Sequence, residues 1–373
     1  MKGWDYLSSL VNGWDKGIFY VGSYGEKSDA TIHACTMEKT TGKLHIIQRF
    51  TNVENASFLA IHPDGKRLYA AKEIGESGGQ PGGEVAAISI EVETGLLKDI
   101  TSVASTIGQH PCYVSVNQEG TGLYAANYTG GNITLLPLTE DGELQNAASL
   151  MQHEGEPGPV VDRQGAPHAH CVVPIPGTPF VSAVDLGIDA VVTYRYDKEA
   201  GILANHHITK LQGGTGPRHI AFHPKLAVAY VTNELASSVT LLHLDKDAGL
   251  LTEGATYSTI PTEYTDYNDS ADIHVSSDGK FLYSSNRGHN SIAVFAIDGQ
   301  SGTLTSIQHI GCGGEQPRNF GLTPEGDYVL VANQKTGNIV VFRRDRESGT
   351  ISETGFTLEL NAPVSICFAN NSH

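Results

Sequence analysis

A short two-stranded unit is repeated seven times along the chain, and this repetition limits the possible folds more than any other feature. Each copy is an apolar run, a turn and a second run, as in SFLAIHPDGKRLYAAKE at Ser57–Glu73. Further copies begin at Cys112, Ala169, Arg218, Ala271 and Arg318, the one at Ala169–Asp185 being degenerate. The seventh copy is split between the chain ends, with VSICFANN (Val364–Asn371) as its first strand and GIFYVGSY (Gly17–Tyr24) as its second.

The copies recur about every 51 residues, and a period of about 40–50 residues built from short strands is typical of β-propeller blades. Further strand-like runs separate the copies, among them SIAVFAID (Ser291–Asp298) and NIVVFRRD (Asn338–Asp345). Four strands in each of seven units predict an all-β, seven-bladed β-propeller with antiparallel blades. The split copy predicts that N- and C-terminal strands pair to close the ring, which leaves no open sheet edge at the termini.

Domain organisation follows from the same repeat. The length of 373 residues alone would suggest two or three domains. Because neighbouring blades must stack to bury a core, and because no linker or compositional shift interrupts the repeat, we expect one propeller domain over residues 1–373.

Composition excludes several classes of partner and compartment. The net charge of −17 disfavours nucleic acid and anionic membrane surfaces as partners. No apolar run approaches the roughly 18 residues needed to span a bilayer, and MKGWDYLSSLVNGWDKG at the N-terminus does not resemble a signal peptide. Five scattered cysteines without CxxC spacing predict buried free thiols in a reducing compartment. We therefore expect a cytoplasmic protein that is a monomer or a weak homo-oligomer.

A column of polar residues appears when the copies are superposed. The second residue of each copy and the residue fifteen positions later would lie at neighbouring strand ends, so both should face one opening of the ring. These pairs are Phe58/Glu73, Tyr113/Tyr128, His170/Asp185, His219/Glu234, Asp272/Arg287 and Asn319/Gln334, with Ser365/Tyr24 across the closure. The neighbouring columns are apolar and belong to the core, so the fold alone does not require polarity here.

The column is chemically uneven around the ring. Blades three to six carry its polar residues, whereas blades one, two and seven contribute mainly aromatic ones, with Glu73 as the exception. A polar sector opposite an aromatic wall is typical of a small-molecule pocket. Arg218 and Arg318 each follow a Gly-Pro-type loop, one residue before the column. Two arginines at one mouth of an acidic protein indicate an anionic ligand.

Structural interpretations of individual residues stay open beside the functional one. Asp272 and Arg287 could form an ion pair within one blade, His274 suits a satisfied interior residue, and His62 and His223 suit structural turn positions.

A metal site from His168-x-His170 with His219, Asp185 and Glu234 is conceivable, but spacing alone does not define its geometry. We predict neither a metal nor a cofactor. HExxH, P-loop and GxGxxG motifs are absent from the sequence.

At these residues the sequence resembles the bacterial 6-phosphogluconolactonase family of seven-bladed propellers, which is related to the fungal carboxy-muconate lactonizing enzymes. The similarity is strongest in GPRHIAFHP (Gly216–Pro224), YVTNELASSVTLLHL (Tyr230–Leu244) and ADIHVSSDGKFLYSSNRGHNSIAVFAID (Ala271–Asp298). The active site of the lactonizing relatives matches His170, Arg218, Glu234 and Arg287 here. The loops at residues 74–84 and 151–167 do not match the family pattern.

The resemblance implies hydrolysis of a sugar-acid lactone, with 6-phospho-D-glucono-1,5-lactone of the pentose phosphate pathway as the first candidate. Glu234 or His170 would be the general base and the other the proton donor, while Arg287 and Arg218 would hold the oxyanion and the anionic group. We expect further substrate contacts from Arg318, His219, Asp185, Asp272, Gln334, Tyr128 and Glu73.

Three alternatives remain. The first is a lactonase for an unphosphorylated aldonolactone, and the second is a muconate cycloisomerase. The third is a non-enzymatic propeller that binds a protein partner on one face.

Overall fold

The computed structural model describes residues 16–369, which form thirty β-strands. Twenty-eight of these strands make seven four-stranded antiparallel sheets, and the other two form a small hairpin. The predicted seven-bladed β-propeller is confirmed. No helix within this range could span a membrane.

The chain enters through three strands of the closing blade and then builds blades 1 to 3 in order. The entering strands are β1 (Ile18–Ser23), β2 (Ile32–Met37) and β3 (Leu44–Phe50). Blade 1 contains β4 (Ala56–Ile61), β5 (Arg67–Lys72), the hairpin β6 (Glu76–Ser77) and β7 (Gln80–Pro81), β8 (Glu84–Glu91) and β9 (Leu96–Ser105). Blade 2 contains β10 (Pro111–Val116), β11 (Gly122–Asn127), β12 (Asn132–Pro137) and β13 (Ser149–Gln152). Blade 3 contains β14 (Ala169–Pro174), β15 (Phe180–Asp185), β16 (Ala190–Asp197) and β17 (Ile202–Lys210).

Blades 4 to 6 repeat the arrangement, and the last strand returns to the entering ones. Blade 4 contains β18 (Pro217–Phe222), β19 (Val228–Asn233), β20 (Ser238–Asp245) and β21 (Leu250–Ser258). Blade 5 contains β22 (Asp269–Val275), β23 (Phe281–Arg287), β24 (Ser291–Ile297) and β25 (Leu304–Gly311). Blade 6 contains β26 (Pro317–Leu322), β27 (Tyr328–Asn333), β28 (Asn338–Arg344) and β29 (Ile351–Glu359), and β30 (Pro363–Phe368) completes blade 7.

The ring closes as the split copy predicts. β30 pairs antiparallel with β1, from Phe19 opposite Phe368 to Ser23 opposite Pro363. Asn370 and Asn371 at the end of that copy lie outside the described residues, as do residues 1–15, on which the signal-peptide expectation rests.

The hydrophobic core is divided among the junctions between blades. Seven buried apolar clusters are present, and each is shared by two neighbouring sheets. Between blades 1 and 2, for example, Tyr69 and Val85 pack with Leu123 and Leu136. Each blade therefore depends on its neighbours for burial, as in repeat proteins generally.

Buried hydrogen bonds fasten the same junctions. Tyr69 and Tyr230 donate their hydroxyls to turn carbonyls of the next blade at 2.7 Å. The ring nitrogens of His62 and His223 contact turn carbonyls of the next blade at 3.0 and 2.8 Å. The prediction that these two histidines are structural is confirmed.

A β-bulge interrupts pairing near the start of the innermost strand in every blade. Phe58 therefore lies opposite Ala71, and Tyr113 lies opposite Ala126. Residues fifteen apart in these copies are thus offset by two positions in the ladder and are not directly opposite each other. The strand ends do meet at one opening of the ring, but Glu73 lies just beyond the end of its strand.

Candidate active site

The bulges bring consecutive residues of the inner strands into one cleft. In a regular strand, neighbouring side chains point to opposite faces, but a bulge redirects one of them. Arg218 and His219 consequently lie side by side, with Arg218 Nη1 3.1 Å from His219 Nε2. The resulting cleft is lined by Ser57, Phe58, Cys112, Arg218, His219, Arg318, Asn319 and Val364.

Glu234 is the centre of an arginine cluster beside this cleft. Its Oε2 lies 2.9 Å from Arg218 Nε and 3.0 Å from Arg287 Nη2. Its Oε1 pairs with Arg163. Burial alone would raise the pKa of the Glu234 carboxyl, but Arg287, Arg218 and Arg163 together lower it to about 2. Both oxygens are thus occupied by cations, and the carboxylate is a weak base.

Three residues of this cluster were predicted, and one was missed. Glu234, Arg218 and Arg287 come together as the sequence analysis expects, whereas Arg163 was not identified. It lies in the 151–167 loop, which belongs to no copy of the repeat. The sequence indicated that this loop passes the site, because it leads into the inner strand that carries His170, but nothing in the sequence distinguished Arg163 within the loop.

Arg218 is held rigidly within the cluster. It is 2% exposed, and its Nη1 donates to the carbonyl of Ala271 at 2.8 Å. Burial and the nearby Arg318 and Arg287 lower its pKa to about 10. The guanidinium therefore remains charged at neutral pH.

Asp272 ties three blades together. Its carboxylate accepts hydrogen bonds from His219 Nδ1 at 2.7 Å, His274 Nε2 at 2.9 Å and Asn319 Nδ2 at 2.6 Å. The backbone amides of Ile273 and Phe320 also donate to it. Burial would raise the pKa of Asp272, but His274 and His219 hold it far below its usual range. Asp272 orients His219 and does not line the cleft.

The suggested ion pair between Asp272 and Arg287 is wrong. Arg287 turns to Glu234 and approaches Asp269 Oδ2 at 4.0 Å, because the bulge places Asp269, and not Asp272, opposite Arg287 in the ladder. His274 has the expected hydrogen-bond partner, since its Nε2 contacts Asp272, but its side chain is 33% exposed and is therefore not fully interior.

Two neutral histidines face the arginines. His219 donates Nδ1–H to Asp272 and accepts from Arg218 at Nε2, and burial together with Arg218 lowers its pKa to about 4. Burial, Arg218, His219 and Arg318 hold the pKa of His170 well below its ordinary value. His170 Nδ1 lies 3.6 Å from Cys112 Sγ. Its Nε2 makes no hydrogen bond with any described residue.

Arg318 differs from the other arginines of the site. In the part of the chain that the structure describes, no carboxylate lies within 4.0 Å of its guanidinium. It sits 5.5 Å from the centre of the Tyr24 ring, whose hydroxyl donates to Glu73 Oε2 at 2.8 Å. Burial lowers the pKa of Arg318, but Tyr24, Glu73 and Glu234 raise it above its ordinary value. The cleft thus contains a cation without a paired carboxylate.

The remaining predicted residues occupy different environments. The Phe58 and Tyr113 rings stack at 4.0 Å, and Tyr113 meets His219 edge-on at 5.1 Å, so the aromatic wall narrows the channel. Tyr128 is half-buried and stacks on His168 at 4.5 Å. Gln334 is half-buried and contributes its backbone amide to Gln316.

Asp185 is fully buried, away from the cleft. It accepts hydrogen bonds from His153 Nδ1 and from the backbone amides of His168, Gly187 and Ile188. Within residues 16–369 no group of three or more His, Cys, Asp or Glu side chains is arranged to hold a metal ion.

Comparison with known proteins gives a consistent result. The family model described as "Lactonase, 7-bladed beta-propeller" matches residues 18–368. The 6-phosphogluconolactonase of Bacillus subtilis (strain 168) is 35% identical over 95% of this chain and 98% of its own length. That of Formosa agariphila is 33% identical over 95% of this chain and 100% of its own. The structure of the Pseudomonas aeruginosa periplasmic gluconolactonase PpgL superposes with a TM-score of 0.86 at 31% identity, covering 94% of this chain and 98% of that one.

The chain therefore belongs to the lactonase family of seven-bladed β-propellers. It is a hydrolase that acts on lactones.

Proposed function

We propose that the protein hydrolyses 6-phospho-D-glucono-1,5-lactone to 6-phosphogluconate at the cleft formed by Arg218, His219 and Arg318. The observation that carries this proposal is Arg318, which lines the cleft and has no carboxylate within 4.0 Å of its guanidinium among the described residues. Arg318 also lies close enough to Arg218 and Arg287, which pair with Glu234, to form one arginine-rich site with them. A cleft cation without a paired carboxylate, on a protein of net charge −17, suits an anionic substrate such as a phosphorylated lactone. The names of the Bacillus and Formosa relatives support the same substrate.

His170 is the general base in this proposal. Its imidazole is neutral because its pKa is depressed, and in the Nδ1–H tautomer Nε2 presents a lone pair with no competing partner among the described residues. Glu234 is unsuited to the role, because both of its oxygens are engaged by Arg163, Arg218 and Arg287 and no lone pair faces a water molecule without competition. Of the two candidates from the sequence analysis, this proposal therefore assigns the base to His170.

The reaction then needs one water and no covalent enzyme intermediate. His170 removes a proton from water as the new oxygen–carbon bond forms at the lactone carbonyl. Arg318 and Arg287 stabilise the oxyanion, and the Arg287 Nε is suited to this because it is buried without a hydrogen-bond partner among the described residues. The ring carbon–oxygen bond breaks as the intermediate collapses, and protonated His170 returns its proton to the departing ring oxygen.

A second substrate is favoured by one observation. The superposable Pseudomonas protein is named a gluconolactonase, without a phosphate. An unphosphorylated glucono-1,5-lactone is therefore the alternative, and Arg318 would stabilise the oxyanion in either case.

We also propose that the protein acts in the cytoplasm, as part of the pentose phosphate pathway. Five buried free thiols support a reducing compartment. Cell fractionation of the source organism tests this proposal, and recovery with periplasmic markers would contradict it.

The test of function is the rate of hydrolysis of freshly generated 6-phosphoglucono-1,5-lactone above the spontaneous rate. Wild type is compared with His170→Asn, Arg287→Ala and the control Arg195→Ala, an exposed arginine of β16 on blade 3. Acceleration by wild type and the control, but not by the two site variants, is expected. Equal acceleration by all four proteins would show that the reaction does not take place at this site. No acceleration by wild type would show that this lactone is not the substrate.

A further inference from the structure

The loop between β13 and β14, residues 153–168, is docked against the site face. One buried carboxylate, that of Asp185, holds both of its ends through His153 Nδ1 at 2.6 Å and the backbone amide of His168 at 2.8 Å. Gln164 in its middle is fully buried, accepts from the amide of Val160 at 3.0 Å and donates to the carbonyl of Leu186 at 2.8 Å. This docked loop therefore has a fixed backbone beside the cleft.

The anchor at Gln164 places the preceding residue, Arg163, at the outer edge of the arginine cluster. Arg163 pairs with Glu234 through Nη2, and its Nη1 lies 3.4 Å from Asp269 Oδ2. Its side chain is 32% exposed, compared with 2% for Arg218 and 13% for Arg287. Among these three arginines, Arg163 is the one that solvent and an arriving ligand reach first.

If Arg163 moved away, Glu234 and Asp269 would each keep at least one other partner. Glu234 would keep Arg218 and Arg287 at 2.9 and 3.0 Å. Asp269 would keep the hydroxyl of Tyr267 as a hydrogen-bond donor. Removing the sole partner of a buried charge is strongly destabilising, but neither acid would lose its last partner here. A change of partner by Arg163 is therefore energetically inexpensive, whereas Arg218 has no comparable freedom.

The size of the cleft gives Arg163 a reason to move. The enclosed space of the cleft is far below the roughly 300–1,000 Å³ of typical ligand pockets. Arg163 does not line the cleft itself, but it pairs with Glu234, whose partner Arg218 does. Because the backbone of the docked loop is anchored, additional room next to the cleft comes most readily from the exposed Arg163 side chain. A guanidinium that releases two carboxylates can use the same N–H donors to bind another group that accepts two hydrogen bonds, such as a phosphate.

We propose that Arg163 is a specificity-determining residue that exchanges Glu234 and Asp269 for the phosphate of the substrate when the lactone binds. This inference rests on the proposed function, since it assumes a phosphorylated lactone. It assigns the phosphate to Arg163 at the rim and leaves Arg318 and Arg287 for the oxyanion in the cleft.

Steady-state kinetics on two substrates test the proposal. Arg163→Gln should raise KM for 6-phosphoglucono-1,5-lactone about 10- to 100-fold, the effect of losing hydrogen bonds between charged groups, with kcat nearly unchanged. Its kcat/KM for glucono-1,5-lactone should stay at the wild-type value. Arg163→Lys should recover part of the KM because it restores charge without the planar fork. Val161→Ser, at an 80% exposed position of the same loop, is the control and should leave both substrates unaffected.

A loss of equal size on both lactones would show that Arg163 acts through Glu234, and it would overturn the proposal. Unchanged kinetics on both would also overturn it. Calorimetric titration with inorganic phosphate separates this inference from the proposed function, because it needs no turnover. Wild type should bind phosphate more tightly than Arg163→Gln even if neither lactone is hydrolysed, and equal phosphate affinity would refute the role of Arg163.

Discussion

Replacement of Glu234 by glutamine provides a quantitative test of the arginine cluster. Glutamine is close in shape to protonated glutamate, so the substitution costs about what protonating Glu234 in the folded protein would cost. The pKa of Glu234 falls from 4.5 to about 2 on folding, and each pKa unit corresponds to about 1.4 kcal/mol. The expected loss of stability at neutral pH is therefore roughly 3 kcal/mol. Glu234 is 3% exposed, so solvent screening does not reduce this figure.

Thermal unfolding followed by circular dichroism measures the effect. With an unfolding entropy of about 2 cal/mol/K per residue over 373 residues, a loss of roughly 3 kcal/mol lowers the melting temperature by about 4 °C. Because the pKa is lowered in the folded state, this stabilisation is present above pH 4.5 and is lost as pH falls through about 2. Glu91→Gln, which removes an exposed ion pair with Lys98, is the matched control and should not shift the midpoint.

A second substitution tests whether the arginines cause the effect. Adding Arg163→Gln to Glu234→Gln removes one of the cations left without its partner, so the double variant should be more stable than the sum of the single effects predicts. The reasoning is refuted if Glu234→Gln melts with wild type, or if the two substitutions are simply additive. It is also refuted if Glu234→Gln abolishes kcat at unchanged KM and unchanged stability, because Glu234 would then be the base.

Further expectations concern the base, the cleft arginine and the thiols. His170→Asn should lower kcat about 10²- to 10⁴-fold, which is the usual contribution of a general base. Because the pKa of His170 lies well below 6.5, the pH profile of the wild-type kcat/KM should show no inflection near pH 6.5. An inflection at that pH would contradict the assignment of His170 as the base. Arg318→Met should reduce kcat/KM for both phosphorylated and neutral lactones, whereas an effect confined to the phosphorylated one would reassign the phosphate to Arg318. All five cysteines are buried and free, so a thiol reagent should label none in the native protein and five after denaturation, as counted by mass spectrometry.

The fold was predictable because its signal is repeated. Seven copies each carry the same alternation of apolar positions, so an imperfect copy such as Ala169–Asp185 does not obscure the period. Ring closure was predictable for the same reason, since each half of the split copy matches half of the others. The strands of the resulting sheets follow in sequence order outward from the axis, apart from the closing strand.

The bulges were not predicted, although the sequence contains a signal for them. A proline begins four of the inner strands, at Pro111, Pro217, Pro317 and Pro363, and within sheets proline is confined largely to strand starts, edges and bulges. The preceding residue has a positive φ in each case, as at His110 with 54° and Gln316 with 60°. A residue suited to a positive φ followed by proline, at the same place in several copies, could have indicated the β-bulge. The bulge in turn would have indicated that Arg218 and Arg318 point toward the cleft.

Arg163 could not be placed from the sequence for a different reason. Its loop occurs once, so comparison of the copies gives no information about it. Its position depends on contacts made far along the chain, between Gln164 and the carbonyl of Leu186 and between Asp185 and both loop ends. Contacts of this kind are visible only after the blades are assembled.

The electrostatics of the site explain why a lactonase would keep a carboxylate that takes no part in proton transfer. Four guanidinium groups near one another repel, and the lowered pKa of Arg218 records that repulsion together with its burial. Glu234 pairs with three of them and so keeps the cluster compact without a ligand. The net charge of −17 cannot attract an anion from a distance, and charges separated by more than about 8–10 Å are screened at physiological salt. Recognition must therefore occur at short range, where Arg318 has no carboxylate partner among the described residues and Arg163 can exchange its own. A site with this charge pattern binds an anion by exchanging partners inside the mouth rather than by long-range attraction.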